Sequence, residues 1–261
     1  MLAAKLSPFS FSNAYPVFVV EDRRSTVTTL KGLTLEPADR AGKTLTLKTF
    51  PVQSTTRQYL LYSEDIQFSA DLVKERWEKL ELDSEGLTRK VIVAALVDTD
   101  SGILPNGRLY CFLPTEVKLP VPIYLQIDGH TKADRERLHD PEQNRWNRHL
   151  LGLLSSILLR AILDWRNQPL VAVRLPNFIP TDSGTDQLAP IFAQLIKALQ
   201  TTPWIRTLDE QDQWVSPNYA LRTDKYWSNL LMQYPNFRRQ AEELLGIKFM
   251  HPDWSSKPGL V

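Results

Sequence analysis

From Tyr15 to Thr49, short apolar stretches such as Val17 to Val20 and Leu45 to Leu47 alternate with threonine-rich polar ones, which suits β-strands better than helices. Gln58 to Tyr62 reads as another strand. Asp71 to Leu80 sets Leu72, Trp77 and Leu80 among Lys74, Glu75, Arg76, Glu78 and Lys79, a pattern that predicts a short, heavily charged helix with a solvated face. Three stronger strands follow at Arg89 to Val97, Arg108 to Leu113 and Val121 to Ile127. The loop between the first two contains Asn106-Gly107, a turn signal because both residues tolerate positive φ. Pro114 to Pro120 separates the second from the third, and its two prolines cannot donate ladder hydrogen bonds. Together these strands read as a mostly antiparallel meander.

After the polar stretch Asp128 to Gln143 comes the clearest helix, Asn144 to Trp165. Trp146, Leu150, Leu153, Leu154, Ile157, Leu158, Ala161, Ile162 and Trp165 recur there at helical spacing, a stripe wide enough to pack on a sheet. Trp146 and Trp165 are read as core anchors of that helix. Pro169, Pro176 and Pro180 break the chain, and Thr181 to Thr185 reads as a loop before a second helix, Leu188 to Leu199. The remainder carries a strand at Trp204 to Leu208, a short Trp214-Val215, helices near Tyr226 to Met232 and Phe237 to Leu245, and a loose tail from Pro252 to Val261. No internal repeat or low-complexity segment is present.

With 261 residues, 43% hydrophobic and 23% charged, the chain has the composition of a globular protein and is long enough for one large domain or two lobes. Lys plus Arg number 31 against 30 for Asp plus Glu, so the footprint of a dedicated nucleic-acid or anionic-membrane binder is missing. The single cysteine, Cys111, sits in the apolar run Leu109 to Leu113 and reads as a small hydrophobe. Met1 to Pro16 lacks the charged start and apolar stretch of a secretory signal, and no segment approaches the ~20 apolar residues of a membrane span. A cytoplasmic protein is expected.

Familiar catalytic constellations do not emerge. No Gly-x-Ser-x-Gly element presents a nucleophile. Ala41-Gly42-Lys43-Thr44 matches only the last three positions of a phosphate-binding loop and lacks the earlier glycine that shapes its backbone cradle. The four histidines, His130, His139, His149 and His251, include no pair at helical metal-binding spacing; His130 and His139 flank a polar loop and read as exposed or hydrogen-bonded. No cofactor and no metal is expected.

One ordered series of segments resembles a known family. Gly107 to Thr115 (GRLYCFLPT) is followed by Leu119 to Ile123 (LPVPI), Gln126 to Gly129 (QIDG), the arginine loop Asp134 to Leu138 (DRERL) and the helix opening Arg145 to Arg148 (RWNR). This series is similar to the middle-domain signature of sacsin-like proteins, which couple a GHKL ATP-binding domain, related to that of the 90-kDa heat-shock chaperone, to a middle domain. Tyr59 to Tyr62 and Lys90 to Leu96 resemble the two preceding strands of the family, and Trp214 to Ala220 its later polar-aromatic segment, so the likeness spans about Gln58 to Ala220. The acidic and asparagine residues, the Asp-x-Gly-x-Gly turn and the glycine-rich lid of the ATP-binding half are all missing. The resemblance therefore implies a chain that does not hydrolyse ATP alone.

What it implies further is an α+β fold, with an antiparallel or mixed sheet packed against the long helix as a middle-domain βαβ sandwich and a smaller mixed lobe after it. The corresponding segments are 1–56 (β-rich), 57–168 (middle domain) and 169–261 (C-terminal lobe). The implied function is that of a non-catalytic, chaperone-like transducer relaying nucleotide state to a client or effector. Its partners would be a GHKL-type ATP-binding domain in the same or another chain and, as a candidate homodimer, a second copy. In GHKL proteins the middle domain contributes a basic residue that reaches the γ-phosphate; by position the candidates here are Arg135 and Arg137, whose planar guanidinium forks suit bidentate phosphate contacts. The alternative is an interaction module or scaffold of a multi-component assembly, such as a bacterial antiviral defence complex, in which those arginines form surface ion pairs worth ~0 to 1 kcal/mol each.

Overall fold

A computed structural model of the chain describes residues 43–48, 56–76, 88–98, 106–111, 113–134, 136–167, 174–184, 187–209 and 214–255. It is α+β, with a mixed sheet and several helices. Two compact units divide at Leu150/Leu151, and each is described by itself. The expected strand at Val17 to Val20, and Trp77 and Leu80 of the charged helix, lie outside the described residues.

The first unit is built on six strands: β1 (Lys43–Lys48), β2 (Thr56–Gln67), β3 (Thr88–Asp98), β4 (Arg108–Cys111), β5 (Leu113–Lys118) and β6 (Ile123–Gln126). Their order is β1-β2-β3-β6-β4-β5. All neighbours are antiparallel except β4 and β6, which run parallel. A short helix, α1 (Ala70–Arg76), follows β2. Val91 to Leu96 of β3 and all of β6 are buried, so both faces of the sheet centre are covered, as the unbroken apolar run in β3 requires.

This topology corrects the meander. The chain does not break after β4 but turns back as β5, pairing Arg108 with Lys118 and Cys111 with Leu113, and only then crosses to insert β6 between β3 and β4. Pro114 is tolerated because β5 is an edge strand, where a missing donor costs no internal ladder bond. Thr115 braces the hairpin, its hydroxyl donating to the Leu109 carbonyl at 2.9 Å and accepting from the Val117 amide at 3.2 Å.

Gly107 is needed for a different reason from the one the turn signal suggests. Positive φ is confined to Gly184 and Gly246 among the described glycines. Gly107 instead donates to the Val121 carbonyl at 2.8 Å and accepts from Leu119 at 3.0 Å, and a Cβ there would lie 1.7 Å from the Ile123 carbonyl oxygen. The strand insertion is thus possible only where one backbone lies directly on another.

The second unit contains the rest of the long helix α2 (Arg145–Trp165), a 3-10 turn at Leu175–Phe178, and α3 (Ala189–Thr201). Short strands β7 (Ile205–Arg206) and β8 (Trp214–Val215) pair antiparallel, and β9 (Ala220–Leu221) and β10 (Lys248–Phe249) pair parallel. Between the last two stand α4 (Lys225–Gln233) and α5 (Pro235–Leu245). The Asp224 side chain caps α4 by accepting from the Trp227 amide at 2.8 Å, and Gly246 closes α5 in the left-handed region at φ 65°, as helix ends commonly require.

The tail is a second correction. Pro252–Ser255 forms a short helix, α6, with Trp254 fully buried and stacked on Trp204 at 5.8 Å between ring centroids. A large indole with a packing partner outweighs the local preference for a loose end. Among the described residues, no helix is long and apolar enough to cross a membrane.

Two measurements test these features. Gly107→Ala should destabilise the first unit by about 3 kcal/mol, at the severe end of overpacking costs because the clash is with backbone; urea unfolding reads it, and a loss below about 0.5 kcal/mol would contradict the close approach. In the second unit, Asp164 Oδ2 is buried without a hydrogen-bond partner, and burial raises the carboxyl above its usual range. A folded-state value above the unfolded one means that stability falls as pH rises between the two and stays reduced above both. Asp164→Asn should therefore raise the melting temperature at neutral pH, with the advantage shrinking as acid protonates the wild-type carboxyl; a pH-independent difference would refute this.

Candidate functional site

The segment between β6 and α2 carries the arginine loop, and its own short side chains shape it. Asp134 Oδ1 accepts from the Glu136 amide at 3.0 Å and Asp140 Oδ1 from the Glu142 amide at 2.9 Å, two turns of the kind aspartate favours. Between them the chain doubles back: Lys132 donates to the Arg137 carbonyl and His139 to the His130 carbonyl, both at 2.9 Å, and Thr131 bridges to Leu138. Leu138 is completely buried. Its side chain fits because residue 129 is glycine, where a Cβ would lie 2.9 Å from Leu138 Cδ2 and 3.2 Å from the Cys111 sulfur.

The root of this loop is held by the first turn of α2. Asn144 Oδ1 accepts from the Asn147 amide at 2.9 Å, the usual geometry of an asparagine N-cap, while its Nδ2 lies 3.0 Å from His130 Nδ1. Asn147 is 0% exposed. Its Oδ1 accepts from the His130 amide at 2.8 Å, and its Nδ2 donates to the His130 and His139 carbonyls, each at 2.9 Å. One carboxamide thus ties both ends of the loop together.

Trp146 forms the floor beneath. Its indole N–H donates to the Asp128 carbonyl, Phe68 stacks on it at 3.9 Å and the His130 ring at 5.8 Å between centroids. The Arg89 guanidinium lies 5.8 Å from the indole centroid while its Nε pairs with Asp128 Oδ2 at 2.8 Å. A cation placed on an indole face and on a carboxylate at once is held in one orientation. Trp146 is buried, in keeping with its reading as a core anchor.

Beside the loop root, His130, Thr131, His139, Asp140, Gln143 and Asn144 line an open cleft of about 490 Å³. Its wall is polar, with two imidazoles, a carboxylate and two carboxamides. That donor and acceptor mixture can bind a polar group, but Asn144 and Asp140 already serve the loop's own turns. Among the described residues, no group of three or more His, Cys, Asp or Glu side chains is arranged to hold a metal ion.

Of the two arginines singled out in the sequence, Arg135 lies outside the described residues. Arg137 is exposed near the end of the loop, its carbonyl engaged by Lys132, and its side chain forms no hydrogen bond or ion pair with another described residue. What sequence reading missed is the support: Asn147, Phe68 and the Arg89–Asp128 pair. Asn144 just ahead of the helix is a legible N-cap residue, whereas contacts made from Asn147, Phe68 and Arg89 depend on the tertiary fold and leave no local trace. Comparison with protein-family models, curated proteins and solved structures gave no match for this chain.

Asn147→Ala should leave the His139 carbonyl and the His130 amide without this partner, while the His130 carbonyl keeps the His139 amide, costing about 2 kcal/mol, within the range for orphaned buried polar groups. Urea unfolding measures the loss, and amide exchange at His130 should quicken. Unchanged stability together with unchanged exchange would show that Asn147 does not hold the loop.

Proposed function

We propose that this chain is a non-catalytic, transducer-type segment that presents a loop arginine to a nucleotide held by a separate GHKL-type ATP-binding domain and relays nucleotide state to a client or effector. The observation that supports this reading is the pairing of a fixed root with an exposed tip. Asn147 clamps both ends of the loop, while the Arg137 side chain is exposed. An arginine serving its own fold would be expected to spend its guanidinium on neighbouring carboxylates; here Asp134 and Asp140 cap turns of their own loop. Arg135 belongs to the same proposal by sequence position. The finer fold reading, a sacsin-like middle-domain βαβ sandwich, and a cytoplasmic setting are parts of this proposal too.

Phosphate recognition suits this arrangement because guanidinium keeps its charge at any working pH and donates two parallel hydrogen bonds to phosphate oxygens. A preorganised donor contributes most when its geometry is fixed before charge develops, which is the role the clamped root would play. The second reading, a scaffold or interaction module, is favoured by a separate observation. Every large exposed apolar side chain among the described residues lies between Tyr219 and Leu245, and concentrated apolar exposure marks contact surfaces.

The test needs an assembled ATPase, made by joining or mixing the chain with a GHKL-type domain encoded beside it. The chain alone should show no steady ATP hydrolysis. In the assembly, Arg137→Ala, Arg135→Ala or the double variant should slow hydrolysis by about 100-fold, the usual order for losing one transition-state donor, with the chain's own melting temperature unchanged. Lysine at the effective position should rescue poorly because an ammonium lacks the fork. Wild-type turnover in the double variant would end the phosphate-contact reading and leave the scaffold one.

A further inference from the structure

Helix α5 is amphipathic in the inverted sense. Its charged residues Arg238 and Glu242 are each only 4% exposed, while Phe237 is 55% and Leu244 86% exposed. Both buried charges are paired, with Arg238 Nε alone left without a hydrogen-bond partner. Arg238 Nη1 donates to the Leu208 carbonyl at 2.6 Å and Nη2 lies 3.9 Å from Asp209. Glu242 Oε2 pairs with Lys248 at 2.7 Å, and its Oε1 accepts from the Phe249 amide at 3.3 Å. A helix ordinarily turns its apolar stripe inward; here the unit's polar interactions fix the inner face, and the apolar residues are left outside.

Phe237, Gln240 and Leu244 follow one another at i, i+3 and i+7, so they lie on one stripe. Arg239 and Glu243, both exposed, flank it on one side, with Arg239 Nη2 held at 2.8 Å by Asn236 Oδ1. This order is self-complementary. In an antiparallel pairing that sets Phe237 against Leu244 of a second copy, the same flanks meet, and Arg239 of each copy comes within about one residue's rise, 1.5 Å, of level with Glu243 of the other. One positive and one negative charge per copy on that flank also give no preference for a strongly charged partner.

We propose that α5 is a homodimerisation face, two copies pairing these helices antiparallel about a twofold axis near Gln240, with Phe237 and Leu244 in apolar contact and Arg239 and Glu243 exchanged between copies. The proposal is independent of the phosphate-contact reading. An 11-residue helix is only about 16 Å long, so the contact falls below the roughly 1,200 Å² of stable complexes. A weak dimer, forming in the micromolar range or above, is the expectation.

Sedimentation velocity of the whole chain from about 1 μM to 1 mM should show the mass rising from 30.0 kDa towards twice that value. Leu244→Glu and Phe237→Glu should each weaken dimerisation at least tenfold with circular dichroism and melting unchanged. Arg239→Glu or Glu243→Arg should weaken it, and R239E/E243R together should restore it. A trap that does not depend on tolerance of those charges uses an introduced cysteine, since the chain's only cysteine, Cys111, is buried. Gln240→Cys should then give a disulfide-linked dimer under mild oxidation, while Asn218→Cys, exposed but off α5, should not. A monomer across the whole range, as a face reserved for a different protein would give, overturns the proposal. So does a dimer indifferent to Leu244→Glu, or equal cross-linking from positions 218 and 240.

Discussion

Fixing the two ends of a loop without regular structure demands an anchor that does not itself need solvent, and Asn147 supplies it. A carboxamide has one acceptor and two donors to offer here, and all three are matched to backbone groups of His130 and His139. Because the group is uncharged, burying it to 0% exposure costs no ion desolvation, and because every bond is made, no polar atom is orphaned. An aspartate at this position would carry the charge and lose both donors. The Trp146 floor and the Arg89–Asp128 pair then act on the same strand end, so the loop root, the end of β6 and the start of α2 form one hydrogen-bonded piece. The loop's geometry depends on that piece.

Features that express themselves locally were legible from the sequence. The β-branched apolar run Val91 to Leu96 announced a strand by its composition and length, and the wide stripe from Trp146 to Trp165 announced a long helix by its helical period. Strand order was not legible. Placing β6 between β3 and β4 depends on a crossing at Gly107, and the same Asn106-Gly107 pair equally suggests an ordinary turn. Pro114 looked like a break because the edge position that makes it harmless is a property of the finished sheet. Trp254 looked like part of a tail because its partner, Trp204, lies fifty residues away in the chain.

The loop shows the same division. Its arginines and flanking histidines could be picked out from the polar stretch, and Asn144 ahead of the helix is a cap residue that reads locally. That Asn147 spends its side chain on residues 130 and 139 is a long-range fact, fixed only once β6 delivers residue 128 to the helix start. Gly129 is similar. Its lack of a side chain matters solely because Leu138 returns to that spot, and no periodicity records the return.

Helix α5 illustrates how hydrophobic patterning can mislead about direction. Pattern alone identifies two faces of a helix but assigns the apolar one to the interior by default. In this unit the inner side of α5 meets the buried Leu208 carbonyl and Phe249 amide, which need polar partners, together with the half-buried Asp209 and Lys248. Turning Phe237 and Leu244 inward would leave those groups unsatisfied, a cost of about 1 to 3 kcal/mol for each buried one, against a similar gain of roughly 1.5 to 3 kcal/mol per apolar side chain fully buried. The two terms are of similar size, and the ion pairs of Arg238 with Asp209 and of Glu242 with Lys248, which that turn would also break, favour the observed orientation. The exposed apolar face is therefore a consequence of satisfying the inner polar network, and it remains available for burial by another surface.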